Sequence, residues 1–523
     1  MPKKFNITGL CLPAKHYMAD ISEKLAQVLA LVEEGAYFAI SRPRQYGKTT
    51  LLSLMEQRLR QSGAYAVFSI SFAGIGDAAF ESEPNFCDKF IALLAAEAKY
   101  GAQELAPWLA EQRQHANDIG ELSDIISSLA EKAGKDMVLF IDEVDKSSNN
   151  QLFISFLGML RDKYLIAKLG KGLTFHSVIL AGVHDVKTLK AKLRADEEVK
   201  QNSPWNIAAE FKVTMSLLPH EIVPMLEDYA QERGVALDAP ALAERLYYYT
   251  SGYPFLVSKL CKIVDEDLLP RKAEQSWGEA ELEQALHQLL SENNTNFDSL
   301  VKNMENNPAL YELAFEIIVN GVTVPYDPHE PVTSLGRLYG VFRENGGVKI
   351  HNRIYAQILY NYMTAKAFNE YLKSEPERFA APYSKPGNRL DLEAVLLKFQ
   401  QYMKEQRSRR DERFLERQWR LIFLAFLKPI LNGKGHDFKE VQTADEKRLD
   451  IIVTYYQHKY VIELKRWYGE KAHQRGLAQL ADYLDIQGLD EGYLVIFDPR
   501  AKEESWAQEW IEAEGKRVFA VWV

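Results

Sequence analysis

The stretch AISRPRQYGKTTLL, residues 39–52, follows a short apolar run that begins at Tyr37 and passes directly into residues with helical spacing. Its window from Arg42 to Thr49 fits the phosphate-binding pattern GxxxxGK[ST], except that Arg42 stands where the first glycine belongs. A strand ending in such a loop, with a helix after it, points backbone N–H groups of the loop and of the helix N-terminus at phosphate oxygens. The residues expected to cradle a nucleotide are Arg44, Gln45, Tyr46, Gly47, Lys48, Thr49 and Thr50. Lys48 is expected to reach the terminal phosphates, and the Thr49 hydroxyl to ligate magnesium. GK[ST] is common on its own, so a second stretch matters. MVLFIDEVD, residues 137–145, is an unbroken apolar run that ends in Asp142 and Glu143. It reads as a buried strand, and open α/β sheets bind ligands beyond the carboxyl ends of their strands. Asp142 then holds the magnesium shell, and Glu143 orients or deprotonates the attacking water. An acidic pair that merely caps the next helix is the bland alternative. The expected cofactors are ATP and Mg2+.

Strands and helices alternate around these stretches. Residues 21–34, 84–99, 121–133 and 151–168 have helical spacing, while 66–72 and 173–180 read as strands. That alternation predicts a parallel sheet covered on both faces, here an ATPase core over residues 1–218. Residues 219–295 are helical in pattern and read as a lid. Residues 296–370 show helices, the third at 332–344, then a Gly346–Gly347 turn, a strand-like VKIHN and a last helix. That order resembles a winged helix, whose third helix, near Leu335 to Phe342, enters a DNA major groove in some such modules; the role preferred here is an intramolecular regulatory element. Residues 371–395 hold three prolines and many polar residues and read as a linker, with a second α/β unit over 396–523.

A chain of 523 residues is too long for one core. A net charge of −10 rules out a globally basic nucleic-acid binder, so any such contact must come from local patches. Cys11, Cys87 and Cys261 form no CxxC pair, the N-terminus shows no apolar leader segment, and the apolar run from Leu421 to Leu431 contains Lys428 and Pro429. A cytoplasmic protein with no membrane contact is expected.

AISRPRQYGKTTLL resembles the prokaryotic AAA-ATPase-like families within the STAND-type P-loop ATPases. FIDEVD, then FLGMLRDKY, SPWNIA (203–208) and SGYPFLVSKL (251–260) occur in those families' order, so the resemblance covers roughly residues 10–270. It implies a P-loop NTPase acting as a switch or motor, with a GxP turn, Gly252 to Pro254, near the nucleotide. It also makes Arg161 a candidate charge sensor, unless Arg161 is simply a surface arginine on an amphipathic helix.

A second constellation lies in RLDIIVTYYQHKYVIELKRW, residues 448–467. Two strands rich in Ile, Val and Tyr flank a polar turn near Gln457–His458, which predicts a hairpin. Pairing Tyr456 with Lys459 sets Asp450 opposite Lys465, with Glu463 as diagonal neighbour on the same face. Two carboxylates and an ammonium at one spot suit a divalent metal, Mg2+ or Mn2+, with a lysine that positions or activates water. The D–x(n)–ExK arrangement resembles the PD-(D/E)XK nuclease superfamily. On that resemblance Glu416 in FLERQWRLIFLAFL is a further metal ligand, and Gln479 and Tyr483 match a QxxxY motif. Leu449 stands where the proline of the superfamily's name would be. Lys404, Arg407, Arg409, Arg410 and Arg413 precede this helix and offer a phosphate-tracking patch or, more blandly, a solvated face.

The expected function is therefore an ATP-binding and ATP-hydrolysing protein with a metal-dependent nuclease domain. Nucleotide state would control cleavage of nucleic acid, DNA rather than RNA, and a homo-oligomer is allowed. The alternative is a nucleotide-switched binding or regulatory protein whose nuclease fold is a non-catalytic docking module.

Overall fold

A computed structural model of the chain describes residues 2–144, 151–183, 205, 207–273, 275–319, 322–367, 383–407, 412–431, 435–440, 449–498 and 506–523. The chain divides into two compact units, Met1–Glu292 with Arg337–Gly340, and Asn293–Gly336 with Val341–Val523.

In the first unit, β1 (Tyr37–Ser41), β2 (Tyr65–Ser71), β3 (Asp136–Asp142) and β4 (Ser177–Gly182) form a parallel sheet in the order β1-β4-β3-β2. β4 is buried throughout and β3 from Met137 to Ile141, as a sheet covered on both faces requires. The helices Glu83–Gly101 and Gln151–Lys168 bring Phe86, Phe90, Phe153 and Phe156 together against Phe72, just past β2. The strand expected at 173–180 starts later, at Ser177. Gly170 (φ +70) turns the chain out of the preceding helix, and Leu173 is still 53% exposed.

Beyond the sheet the first unit is helical, with Pro219–Arg233, Ala239–Thr250, Pro254–Ile263 and Glu279–Ser291. A proline stands in the first turn of the first three, where a missing N–H breaks no helical bond. Lys24, on the helix Ser22–Glu33, forms a buried ion pair with Glu221. The Lys24 ammonium also donates to the Ser216 carbonyl at 2.6 Å, and the Leu218 N–H donates to Glu221 at 2.7 Å. Lys24→Ala leaves a buried carboxylate without its cation, and a loss of about 3–5 kcal/mol is expected. Chemical denaturation measures it, and a loss of a few tenths of a kcal/mol would contradict this account.

The second unit opens with helices Thr295–Asn306, Pro308–Ile318 and Pro331–Leu338, an antiparallel pair Phe342–Glu344 with Val348–Ile350, and helix Arg353–Ala367. The helix expected at 332–344 therefore ends at Leu338. Phe342–Glu344 is a strand instead, and a Cβ on Gly336 would lie 2.1 Å from the Phe342 ring. Gly346 (φ +62) and Gly347 (φ +135) make the turn, where L side chains are disfavoured. His351 is buried just after this pair, and burial pushes its imidazole down to about 3. The unfolded chain takes up that proton near pH 6.5, so the contribution is whole above 6.5 and is lost as the pH falls toward 3. Its slope is up to about 1.4 kcal/mol per pH unit. Unfolding free energies of wild type and His351→Gln should converge across that window, and parallel curves would contradict the assignment.

Residues 383–395, read above as part of a linker, are ordered structure. Ser384–Lys385 pairs with Arg389–Leu390 around Gly387 (φ +79) and Asn388 (φ +58), and helix Leu392–Arg407 begins there. Pro-Gly-Asn serves here as turn chemistry rather than spacer. The rest of that expected linker that falls within 371–382 lies outside the described residues.

β5 (Gly435–Glu440), β6 (Leu449–Tyr455), β7 (His458–Arg466), β8 (Glu491–Phe497), β9 (Gln508–Ala513) and β10 (Lys516–Trp522) form a mixed sheet in the order β5-β6-β7-β8-β10-β9. Alternation along β8 separates its faces. Leu494 and Ile496 join the core of helix Glu470–Gln487, whereas Phe497 stacks at 5.2 Å on Trp419 of helix Glu412–Leu431. Among the described residues no helix is long and apolar enough to cross a membrane.

Candidate functional site

The phosphate loop leaves β1 and enters helix Lys48–Ser62 through two left-handed residues, Gln45 (φ +57) and Gly47 (φ +82). Gly47 occupies the N-cap position and brings no side chain to cap the first turn. An uncapped helix start suits an anion. Arg42 has no positive φ, so its backbone does not call for the missing glycine. Its guanidinium donates to the Ser41 carbonyl at 2.9 Å and the Val213 carbonyl at 3.1 Å and lies over the Phe211 ring at 5.2 Å. Burial holds its pKa below the ordinary arginine value.

Lys48 donates to the carbonyls of Arg42 and Pro43, both at 2.8 Å, so its ammonium spans the loop. β4 separates β1 from β3, yet the loop and the end of β3 meet: the Thr49 hydroxyl donates to Asp142 Oδ2 at 3.0 Å. The Glu143 N–H donates to Asp142 Oδ1 at 2.8 Å. Glu143 is exposed and has φ +56, a strained conformation for a non-glycine residue of the kind that clusters at functional sites. A hydroxyl and a carboxylate in contact at the mouth of the loop are the oxygen donors that magnesium takes beside phosphate oxygens, so the donor set fits that ion. Thr50 faces elsewhere, its hydroxyl accepting from the Cys11 N–H at 3.2 Å.

The SGYP turn lies against this loop. The Tyr253 hydroxyl donates to the Arg44 carbonyl at 2.6 Å, and Tyr46 and Ser216 hydroxyls are 2.6 Å apart. Trp205 is fully buried and stacks on Tyr37 at 5.9 Å; Ser203, Pro204 and Asn206 lie outside the described residues. Arg161 makes an ion pair at 3.4 Å with its neighbour Asp162. Tyr253 and Ser216 were not among the expected site residues. The aromatic next to Pro254 was a signal for the first; nothing in the local pattern marks the second.

The second constellation needs a change of register. Tyr455 pairs with His458, not Tyr456 with Lys459, because Tyr456 takes φ +51 and starts the two-residue turn. Asp450 is therefore the direct partner of Glu463, and Lys465 is the diagonal neighbour. A shift of the turn by one residue moves the pairing sum by two, so the three positions keep a common face. Glu463 is 1% exposed and pairs with Leu494, which places it on the face covered by helix Glu470–Gln487. That helix carries Gln479 and a buried Tyr483. The Lys465 ammonium donates to the Ala472 carbonyl at 2.7 Å, and a Cβ on Gly476 would lie 1.8 Å from it. Helix Glu412–Leu431 reaches the other face through Trp419, and the side chains of Glu416 and Asp450 lie outside the described residues. In the basic stretch Lys404 lies over the Trp506 ring at 5.8 Å; the side chains of Arg407, Arg409, Arg410 and Arg413 are outside the described residues.

A family model described as an AAA-like domain matches residues 12–358. An uncharacterized WD repeat-containing protein of Synechocystis sp. is 25% identical over 385 residues, which are 69% of this chain and 30% of that protein. The chain thus spans less than a third of that relative. Among solved structures, a Walker-type ATPase of Pyrococcus abyssi is 12% identical, with 68% of this chain and 99% of that one covered and a TM-score of 0.46. The ORC2 protein of Aeropyrum pernix, in ADPNP–ADP complexes, is 14% identical, with coverages of 69% and 97% and a TM-score of 0.37. With an AAA-like match over about two thirds of its length, from the segment before the phosphate loop to residue 358, the chain belongs to the AAA-like domain family.

Proposed function

We propose that this protein is a nucleotide-regulated, metal-dependent nuclease. Its AAA-like half binds and hydrolyses magnesium ATP as a STAND-type switch, and its C-terminal unit, a PD-(D/E)XK-like domain, cleaves nucleic acid, DNA rather than RNA. In the first half, Lys48 binds the terminal phosphates, Thr49 and Asp142 supply oxygen donors to magnesium, and Glu143 orients the attacking water. The observation that carries the nuclease reading is the pairing of Asp450 with Glu463 on one face, two residues from Lys465. Residues Asp450 and Glu463 would hold a divalent cation, and that cation would supply Lewis acidity at a phosphodiester. Lys465 would hold the attacking water or the developing charge. The test is cleavage of plasmid and single-stranded DNA with magnesium or manganese, wild type beside Lys465→Ala. Metal-dependent cleavage by the wild type alone is expected; equal cleavage by both, or by neither, removes the catalytic assignment.

One observation favours a second reading, a binding protein with a non-catalytic docking module. The Lys465 ammonium is held by the Ala472 carbonyl. Under that reading the wild type binds DNA in a salt-dependent way and leaves it intact.

A further inference from the structure

One side chain of the helical segment is hydrogen-bonded to the phosphate loop. Tyr253 is 2% exposed, and its hydroxyl donates to the Arg44 carbonyl at 2.6 Å. Its ring meets the Tyr46 ring edge-on at 4.6 Å, and the Tyr46 hydroxyl lies 2.6 Å from that of Ser216. The backbone that presents Tyr253 is hydrogen-bonded on either side of Gly252. Its N–H donates to the Thr250 carbonyl at 3.1 Å, and the Gly252 carbonyl accepts from the Leu217 N–H at 2.8 Å. Gly252 (φ +72) has no room for a side chain, since a Cβ would lie 2.1 Å from the Leu217 carbonyl oxygen.

A trans peptide points its C=O and N–H in opposite directions. Fixing the Arg44 carbonyl therefore fixes the direction of the Gln45 N–H on the other edge of the same peptide. Gln45 also takes φ +57, which costs a non-glycine residue roughly 1–2 kcal/mol and persists only where the surroundings hold it. We infer that Tyr253 is a positioning residue for nucleotide binding: its hydroxyl sets the Arg44–Gln45 peptide so that the Gln45 N–H donates to a phosphate of a bound nucleoside triphosphate. The inference rests on the phosphate-loop reading and adds how the loop is kept in shape. Because Tyr253 comes from the helical segment, phosphate binding and the placement of that segment become one equilibrium. Tyr46 and Ser216 form the second tie, and Ser216 in turn accepts from Lys24, the partner of Glu221.

The experiment uses the full chain and a non-hydrolysable ATP analogue with magnesium. Tyr253→Phe keeps the ring and removes only the hydroxyl. Its affinity should fall about fivefold to tenfold, tenfold being about 1.4 kcal/mol, while its thermal midpoint without nucleotide stays within about 2 °C of wild type. A hydroxyl with only a structural role lowers that midpoint and leaves the affinity unchanged. Unchanged affinity, with or without a lower midpoint, overturns the inference. A second measurement needs no variant: in wild type the analogue should slow hydrogen exchange of the Gln45 amide, and no slowing overturns the inference equally. Wild type that fails to bind the analogue at all sinks the phosphate-loop reading as well, whereas binding by wild type and Tyr253→Phe alike sinks this inference alone.

Discussion

Lys48→Ala is expected to weaken magnesium-nucleotide binding by about 100-fold or more. The ammonium sits 2.8 Å from two loop carbonyls, so it lies across the loop in which the terminal phosphates are proposed to bind. Hydrogen bonds to charged groups contribute roughly 1.5–3 kcal/mol each, and two to a phosphate account for that loss of affinity. Turnover should fall further, by roughly 10²–10³-fold, because the same charge meets the negative charge that develops on the transferred phosphoryl group. Calorimetric titration and phosphate release measure the two effects separately. Nucleotide at 100 times its Kd should stabilise the wild type by about 2.7 kcal/mol and the variant hardly at all. Equal titration curves would remove Lys48 from the site.

Glu463→Gln is expected to reduce metal-dependent DNA cleavage by roughly 10²–10⁴-fold, as is Lys465→Ala. The two substitutions act on different parts of the same face. Glutamine keeps the volume of the buried Glu463 side chain but removes a negative charge that a divalent cation needs, so the metal concentration at half-maximal rate should rise. Alanine at 465 leaves the carboxylate positions in place and removes the cation next to them, so the rate should fall with little change in metal dependence. A cleavage activity that survives both variants belongs to another protein in the preparation or to another site.

The strand–loop–helix of the phosphate site was legible because each signal there is local. β1 spans Tyr37–Ser41, the stretch read as a strand, and the helix begins at Lys48, as the glycine before it implies. The meeting of Thr49 with Asp142 was also within reach, since parallel strands deliver their carboxyl ends to one edge. The hairpin register was not. Both Tyr456–Gln457 and Gln457–His458 are polar enough to turn, and the choice depends on Tyr456 accepting a left-handed φ, which a tyrosine rarely does. Face assignment survived that error only because the pairing moved by an even number. Pro-Gly-Asn at 386–388 was ambiguous in another way, since linkers and tight turns share the same residues, and the pairing of Leu390 with Ser384 decides for the turn. The hold of Tyr253 on Arg44 joins residues 209 positions apart and leaves no periodic trace. Long-range hydrogen bonds of that kind follow from the tertiary fold, not from spacing.

The account depends on a magnesium nucleotide lying where β1 passes into the helix Lys48–Ser62. A crystal structure of the full chain grown with an ATP analogue and manganese tests that directly, because manganese is identified by its anomalous signal. The predicted map shows phosphates at Lys48 and the loop N–H groups, with manganese bridging them to the Thr49 hydroxyl and the Asp142 carboxylate. A nucleotide bound elsewhere, or Thr49 and Asp142 still bonded only to each other with analogue at saturation, would contradict it.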